Sequence, residues 1–160
     1  MDKTKAIIRE GHLNDIKELQ SLFVETISVI CKVDYDEEQI EIWTSSIKKQ
    51  DRWLDILTNQ YLLVAEDNEK ILGFCSLDKE NYLDFLYVHK DHQRQGIANK
   101  LYVEIEKEVT RKEQKIITSD VSKTALPFFE KVGFEVITEQ TVEIEGVKLI
   151  NYKMTKKIAY

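Results

Sequence analysis

The sequence predicts an α/β fold: a mixed, mostly antiparallel twisted sheet of about seven strands flanked by about four to five helices. Three observations lead there. The apolar period switches along the chain in the order β, two or three α, three β, α, β, α, two β. Short polar turns such as DNEK, DKEN and EIEG join neighbouring strand candidates directly, which makes those pairs hairpins. Over 160 residues with one proline and no Pro/Gly-rich linker, there is no internal boundary, so residues 1–160 are expected to form a single domain.

Each element has its own reason. KAIIRE (5–10) is a short strand. After Gly11, Ile16, Leu19, Phe23, Ile27 and Ile30 recur at spacings of three and four, the stripe of an amphipathic helix. Asp36 followed by Gln39 is a capping box, and Ile40, Trp43 and Ile47 supply the apolar face behind it. DRWLDIL (51–57) is one more short helix. YLLVAE (61–66) and ILGFCSL (71–77) make a hairpin, and YLDFLYV (82–88) is apolar enough to be covered on both faces. Ile97, Leu101, Ile105 and Val109 step by four through a helix, and KIITS (115–119) returns to strand. TALPFFEKV is a short helix stopped by Gly133, and Pro127 requires it to begin near Thr124. FEVITEQTV and VKLINYKM close the sheet.

Composition excludes several classes. A 42% hydrophobic and 32% charged chain is neither disordered nor membrane-spanning, and MDKTKAIIREG has no apolar signal core. The net charge of −6 is mixed along the chain and TKK is the densest basic run, so no nucleic-acid surface is expected. Cys31 and Cys75 read as buried reduced thiols, which points to the cytoplasm. His89, Asp91 and His92 are close in sequence, but loop histidines usually face solvent, and no metal is expected. Trp43 and Trp53 read as core.

The chemistry gathers in VHKDHQRQGIANKL, residues 88–101: a strand end, a polar bend and a helix start around Gly96. Unpaired N–H groups and aligned peptide dipoles make a helix start an anion site. With no side chain, Gly96 lets a phosphate approach the backbone. Gln93, Arg94, Gln95, Gly96, Ile97 and Ala98 would then cradle a diphosphate, with Arg94 or Lys100 adding charge.

These residues resemble the cofactor motif of the GCN5-related N-acetyltransferases, Gln/Arg-x-x-Gly-x-Gly/Ala, over residues 93–98. A second stretch, ALPFFEKVGF (125–134), looks like the same family's Ala-x-x-x-Tyr/Phe-x-x-x-Gly-Phe segment. The resemblance implies the acyl-CoA N-acyltransferase fold and transfer of an acetyl group from acetyl-CoA to a primary amine, with no metal and no covalent enzyme intermediate. Leu86, Tyr87 and Val88 would line the pantetheine arm, and Gln93 to Asn99 would hold the phosphates. The short helix from Ser122 to Phe129 would flank the thioester. The acceptor would be a small amine or a protein amine, and the protein a monomer or homodimer.

For the proton taken from the ammonium, the resemblance points to Asp84 or Tyr82. Asp84 is the lone charge in its strand, and alternation places it on the face of Leu86 and Val88; in a cleft, loss of water would make it a better base. The family's usual tyrosine acid is matched by Phe129, which cannot donate a proton. Tyr87, Tyr35 or Tyr152 could replace it, or the thiolate could leave unaided. Tyr35 and Asp84 are the expected acceptor contacts. The rival class is a coenzyme-binding module without catalysis, kept alive by Phe129.

Overall fold

A computed structural model describes residues 5–158. The main elements are β1 (Ile7–Glu10), α1 (Ile16–Ile30), α2 (Glu37–Thr44), α3 (Gln50–Thr58), β2 (Tyr61–Asp67), β3 (Lys70–Asp78), β4 (Tyr82–Val88), α4 (Ile97–Arg111), β5 (Ile116–Ser122), α5 (Leu126–Lys131), β6 (Glu135–Ile144) and β7 (Val147–Lys157). The seven strands form one sheet in the order β1-β2-β3-β4-β5-β7-β6. Every neighbouring pair is antiparallel except β4 and β5. That is the expected fold class, element for element.

Local chemistry explains the elements. The Asp36 carboxylate accepts from the Gln39 N–H at 2.8 Å, and the Gln39 side chain accepts from the Asp36 N–H at 2.9 Å, so the predicted capping box starts α2. Two-residue turns close β2–β3 at Asn68-Glu69 and β6–β7 at Glu145-Gly146, all at positive φ, the twist that suits a hairpin. Helix α5 is shorter than the sequence indicated. Ser122 is the last residue of β5, and its Oγ accepts from the Ala125 N–H at 3.1 Å; the helix begins at Leu126 with Pro127 in its first turn.

Two apolar layers sandwich the sheet. Helices α4 and α5 cover one face, where Ile97, Leu101, Ile105, Val109 and Phe129 pack on Leu83, Ile117 and Met154. Helices α1 to α3 cover the other, with Leu19, Phe23, Ile27, Trp53 and Ile56 against Phe74 and Phe85. Each such side chain fully buried contributes roughly 1.5–3 kcal/mol. Helix α4 approaches β3 closely because Gly73 lies beneath it: a Cβ there would stand 3.0 Å from both Ile97 Cγ2 and the Tyr87 carbonyl.

Two irregularities shape the centre of the sheet. Strands β4 and β5 share a single parallel pair, Tyr82 with Thr118, and part beyond it. In β4, Phe85 pairs with Ser76 and Leu83 with Leu77, so Asp84 is a bulge residue without a partner in β3. Leu83 and Leu86 therefore both pack on the α4–α5 side, and Phe85 and Tyr87 on the other. The bulge breaks the period of two that would have put Asp84 beside Leu86 and Val88. Asp84 instead reaches toward α3.

Trp53 anchors the α1–α3 layer, 1% exposed, edge-on to Phe23 at 5.2 Å, with its indole N–H donating to the Ser46 carbonyl at 3.2 Å. Trp53→Ala is expected to destabilise the fold by about 3–5 kcal/mol. A urea midpoint close to that of the unsubstituted protein would contradict this packing.

Candidate active site

Where β4 leaves β5, a cleft of about 430 Å³ runs through the sheet from one layer to the other. On the α4–α5 side its walls include Leu86, Val88, Ala98, Phe128 and Phe129. Ser122, expected on that side, pairs with Asn151 and so falls on the other face of β5 from Val121, the face of Asp120. On the opposite side Thr26, Tyr35, Trp43, Arg52, Tyr82, Asp84 and Asp120 converge. The rim of the gap is bridged twice. Ser119 Oγ donates to the Leu83 carbonyl at 2.7 Å, and the Tyr82 hydroxyl donates to Asp120 Oδ2 at 2.7 Å.

At the end of β4 the chain bends into α4. Gly96 is the N-cap at φ 83°, a left-handed conformation that favours glycine for its own sake, in addition to any ligand approach. Arg94 also has positive φ and is exposed. No side chain caps the helix, and the first main-chain bond back is from Lys100 N–H to the Gly96 carbonyl at 3.0 Å. The N–H groups of Ile97, Ala98 and Asn99 precede it and point out of the helix start.

The side chains of this segment divide between scaffold and surface. Gln93 Nε2 donates to the Val88 carbonyl at 2.7 Å, and Thr26 Oγ1 donates to that same carbonyl at 2.9 Å, so both brace the strand end. Gln95 is half-buried. Lys100 Nζ turns away, donating to the Ala6 carbonyl at 2.8 Å, and the Asn99 side chain faces the β1 edge. Lys100 therefore adds no charge to the bend. His89 Nδ1 accepts from the Asp91 N–H at 3.1 Å, and His89 and His92 meet edge to face at 5.2 Å. Among the described residues no three His, Cys, Asp or Glu side chains gather as a metal site requires.

Asp84 differs from the lone strand charge of the sequence reading. Its carboxylate, 9% exposed, accepts from both terminal nitrogens of Arg52 at 2.7 and 2.8 Å and from Gln60 Nε2 at 2.8 Å. The Arg52 guanidinium also lies 4.7 Å from the centre of the Phe85 ring. Tyr87 packs among Phe23, Phe74 and Phe85, and burial pushes its phenol far up, opposed by a hydrogen bond with Trp43. Burial likewise raises Tyr82, with the neighbouring Asp120 adding to it.

Tyr35 lies in the wall of the cleft, but its hydroxyl is committed: it donates to the Ile150 carbonyl at 2.6 Å and accepts from the Lys123 N–H at 3.0 Å. Tyr152 packs on the α4–α5 layer and does not line the cleft. Phe129 is buried, 5.0 Å from Phe134 and perpendicular to it within 17° (interplanar 73°). Trp43, read from sequence as core, is half-buried in the cleft wall, edge-on to Tyr35 at 5.2 Å. Sequence reading missed Arg52 and Asp120, because their partners Asp84 and Tyr82 lie 32 and 38 positions away in the chain.

A seven-stranded sheet parted at its one parallel junction, with a helix starting beside the gap, is the architecture of the acyl-CoA N-acyltransferases. The chain belongs to the GNAT family of N-acetyltransferases: residues 31–156 match the family model described as Acetyltransferase (GNAT) domain. It is similar to YafP of Escherichia coli K12, an uncharacterised N-acetyltransferase, at 31% identity over 150 residues, covering 94% of this chain and 95% of that one. A GCN5-related N-acetyltransferase from Rhodopseudomonas palustris superposes with TM-score 0.93 at 31% identity, covering 98% of each chain. PaiA N-acetyltransferase from Thermoplasma acidophilum, solved with coenzyme A, shares the fold at TM-score 0.77 and 21% identity, covering 96% of this chain and 99% of that one.

Cys31 lines the cleft, 5% exposed, and burial pushes its thiol up to about 11 from 9.0. Two pH units correspond to about 100-fold less thiolate at neutral pH. Iodoacetamide at about pH 7.5 is therefore expected to alkylate the native protein at about 1% or less of the rate seen after unfolding in urea. Equal rates would refute the burial.

Proposed function

We propose that the cleft carries acetyl-CoA from the α4–α5 side and a primary amine from the α1–α3 side, and that the amine attacks the thioester directly. The observation that carries this reading is the gap between β4 and β5, opening beside the uncapped start of α4. The N–H groups around Gly96, Ile97, Ala98 and Asn99 would bind the diphosphate. Anions are favoured there by both open donors and helix dipole. The arm would follow Leu86 to Val88, with Phe128 and Phe129 along its other side. That PaiA, which shares this fold, was solved with coenzyme A supports coenzyme binding by the fold.

The chemistry then follows from the reacting groups. The ammonium first gives up a proton. The neutral nitrogen then bonds to the thioester carbon as the carbonyl becomes an oxyanion. The carbonyl re-forms as the C–S bond breaks, coenzyme A leaving as thiolate and the amide nitrogen losing its extra proton. The Asp84 bulge interrupts the pairing of β4 with β3 beside the cleft, and a β4 N–H that the parting from β5 leaves without a strand partner is suited to the oxyanion. Leaving thiolate, with an ordinary thiol pKa near 8.5, can depart without a strong acid. Tyr87 supports a donor role, since burial keeps its phenol protonated through neutral pH. Phe129 has no proton to give and serves as an apolar wall. The Tyr35 hydroxyl, held at both lone-pair and proton positions, shapes the acceptor end without moving a proton.

Two measurements test this. Gly96→Glu fills the approach to the open N–H groups and is expected to weaken acetyl-CoA binding by about 100-fold or more in calorimetry, while the circular dichroism of the fold persists; unchanged affinity would remove the phosphate role. Thiol release from acetyl-CoA is expected with at least one member of a primary-amine panel. Tight acetyl-CoA binding with no turnover on any amine would instead favour a non-catalytic coenzyme-binding module.

A further inference from the structure

We propose that Asp120, coupled to Tyr82 across the gap between β4 and β5, recognises the acceptor's ammonium group and takes its proton. The inference rests on the acetyl-transfer reading above and names the residues that read's proton step requires.

Among the described residues two carboxylates line the cleft, Asp84 and Asp120. They are not equivalent. Asp84 already faces a standing cation, with both oxygens held by Arg52 and a third bond from Gln60. An incoming ammonium would have to compete with a bidentate guanidinium, one of the strongest pairings available to a carboxylate. Asp120 is engaged only by neutral donors: the Tyr82 hydroxyl at 2.7 Å on Oδ2 and Gln140 Nε2 at 2.9 Å on Oδ1. Each of its oxygens keeps a lone pair free. The residue is exposed at the open side of the cleft, where a solvated amine arrives.

The surroundings hold Asp120 in place without neutralising it. Gln140 of β6 donates at once to Asp120 and to Asn151 Oδ1 of β7, at 2.9 and 3.0 Å, which fixes the carboxylate's orientation. Lys153 is Asp120's antiparallel partner in β7, but it is exposed and makes no ion pair with it. Asp84 and Arg52 face the same space from β4 and α3, and their charges offset each other. Burial, and after it the neighbouring Asp120 and Asp84 carboxylates, oppose the ionisation of Tyr82, so it remains a phenol.

Proton movement then balances simply. The ammonium donates to the free lone pairs of the Tyr82 oxygen or directly to Asp120. In the first route the Tyr82 proton passes along its 2.7 Å bond to Asp120 as the ammonium proton replaces it. Either way Asp120 ends as a neutral carboxylic acid, and the amine becomes a neutral nucleophile. The acceptor class that fits is a primary amine protonated in solution, and acceptors whose nitrogen is already neutral gain least.

The test follows thiol release from acetyl-CoA with 1,4-diaminobutane, spermidine, tyramine and glycinamide between about pH 6 and 10, for the unsubstituted protein, Asp120→Asn and Tyr82→Phe. Near pH 7, Asp120→Asn is expected to lower kcat/KM by roughly 100-fold or more. The deficit should shrink toward pH 10, where the alkylamines approach their ordinary pKa and deprotonate in solution. Tyr82→Phe, which leaves Asp120 in place, should fall by about 10-fold with the same pH trend. Acetyl-CoA affinity should stay within about two-fold in both variants. Superimposed profiles would overturn the assignment, and so would a pH-independent loss accompanied by weakened acetyl-CoA binding, the mark of a structural role. Should the unsubstituted protein release no thiol with any of the four amines, the proposed acetyl transfer fails and this assignment with it. Turnover with an unaltered Asp120→Asn profile sinks the assignment alone.

Discussion

The parting of β4 from β5 is the constraint on which the rest of the molecule depends. Two parallel strands in one sheet would ordinarily pair along their length, and a gap leaves main-chain donors and acceptors without partners. This chain compensates for some of them with side chains. Ser119 donates to the Leu83 carbonyl, and Thr26 and Gln93 both donate to the Val88 carbonyl at the far end of β4. The stretch between those braces stays open to the cleft. A groove with main-chain polar groups along one edge suits an extended, amide-bearing ligand better than a compact one. The same parting brings residues of both layers to one space, which a closed sheet would have kept apart.

Electrostatics adds direction to that opening. The donor end offers helix N–H groups and no carboxylate in the cleft wall, whereas Asp84 and Asp120 lie at the other end. On the proposed reading, an anionic diphosphate and a cationic amine would be sorted to opposite sides of the sheet before any specific contact forms. Arg52 refines the sorting. By pairing with Asp84 it offsets one of the two carboxylate charges lining the cleft; a joint charge of −2 there would hold a proposed ammonium acceptor in its protonated, unreactive form.

Much of this was legible in the sequence, for reasons that also explain what was not. Periodicity located the elements because burial imposes it: Ile97, Leu101, Ile105 and Val109 face one layer, and the sequence spacing says so. The Asp36–Gln39 box and the Gly96 bend are local, and local chemistry is written in adjacent residues. The bulge at Asp84 was not legible, since alternation carries no mark of a skipped partner, and one skipped residue exchanges the faces of a strand. The family resemblance put Ser122 in the short helix, while its strand pairing with Asn151 depends on a residue 29 positions away. Arg52 sat in DRWLDIL, read simply as a short helix, and Asp120 lies just past KIITS, where the strand was expected to stop, whereas β5 runs on to Ser122.

A tyrosine illustrates how far residue type alone can mislead. Four candidates carried the same phenol in the sequence reading, and the fold assigns them four environments. Tyr35 is bonded on both sides to main chain and can only hold shape. Tyr152 lies in the α4–α5 layer, away from the cleft. Tyr87 is enclosed by aromatic rings, where burial keeps it protonated. Tyr82 alone combines a place in the cleft with a carboxylate partner across the gap. A phenol passes a proton only when it has a lone pair to receive one and an acceptor to send one to. Of the four, Tyr82 has the charged acceptor already in place, and it has one because β4 and β5 separate just past their single shared pair.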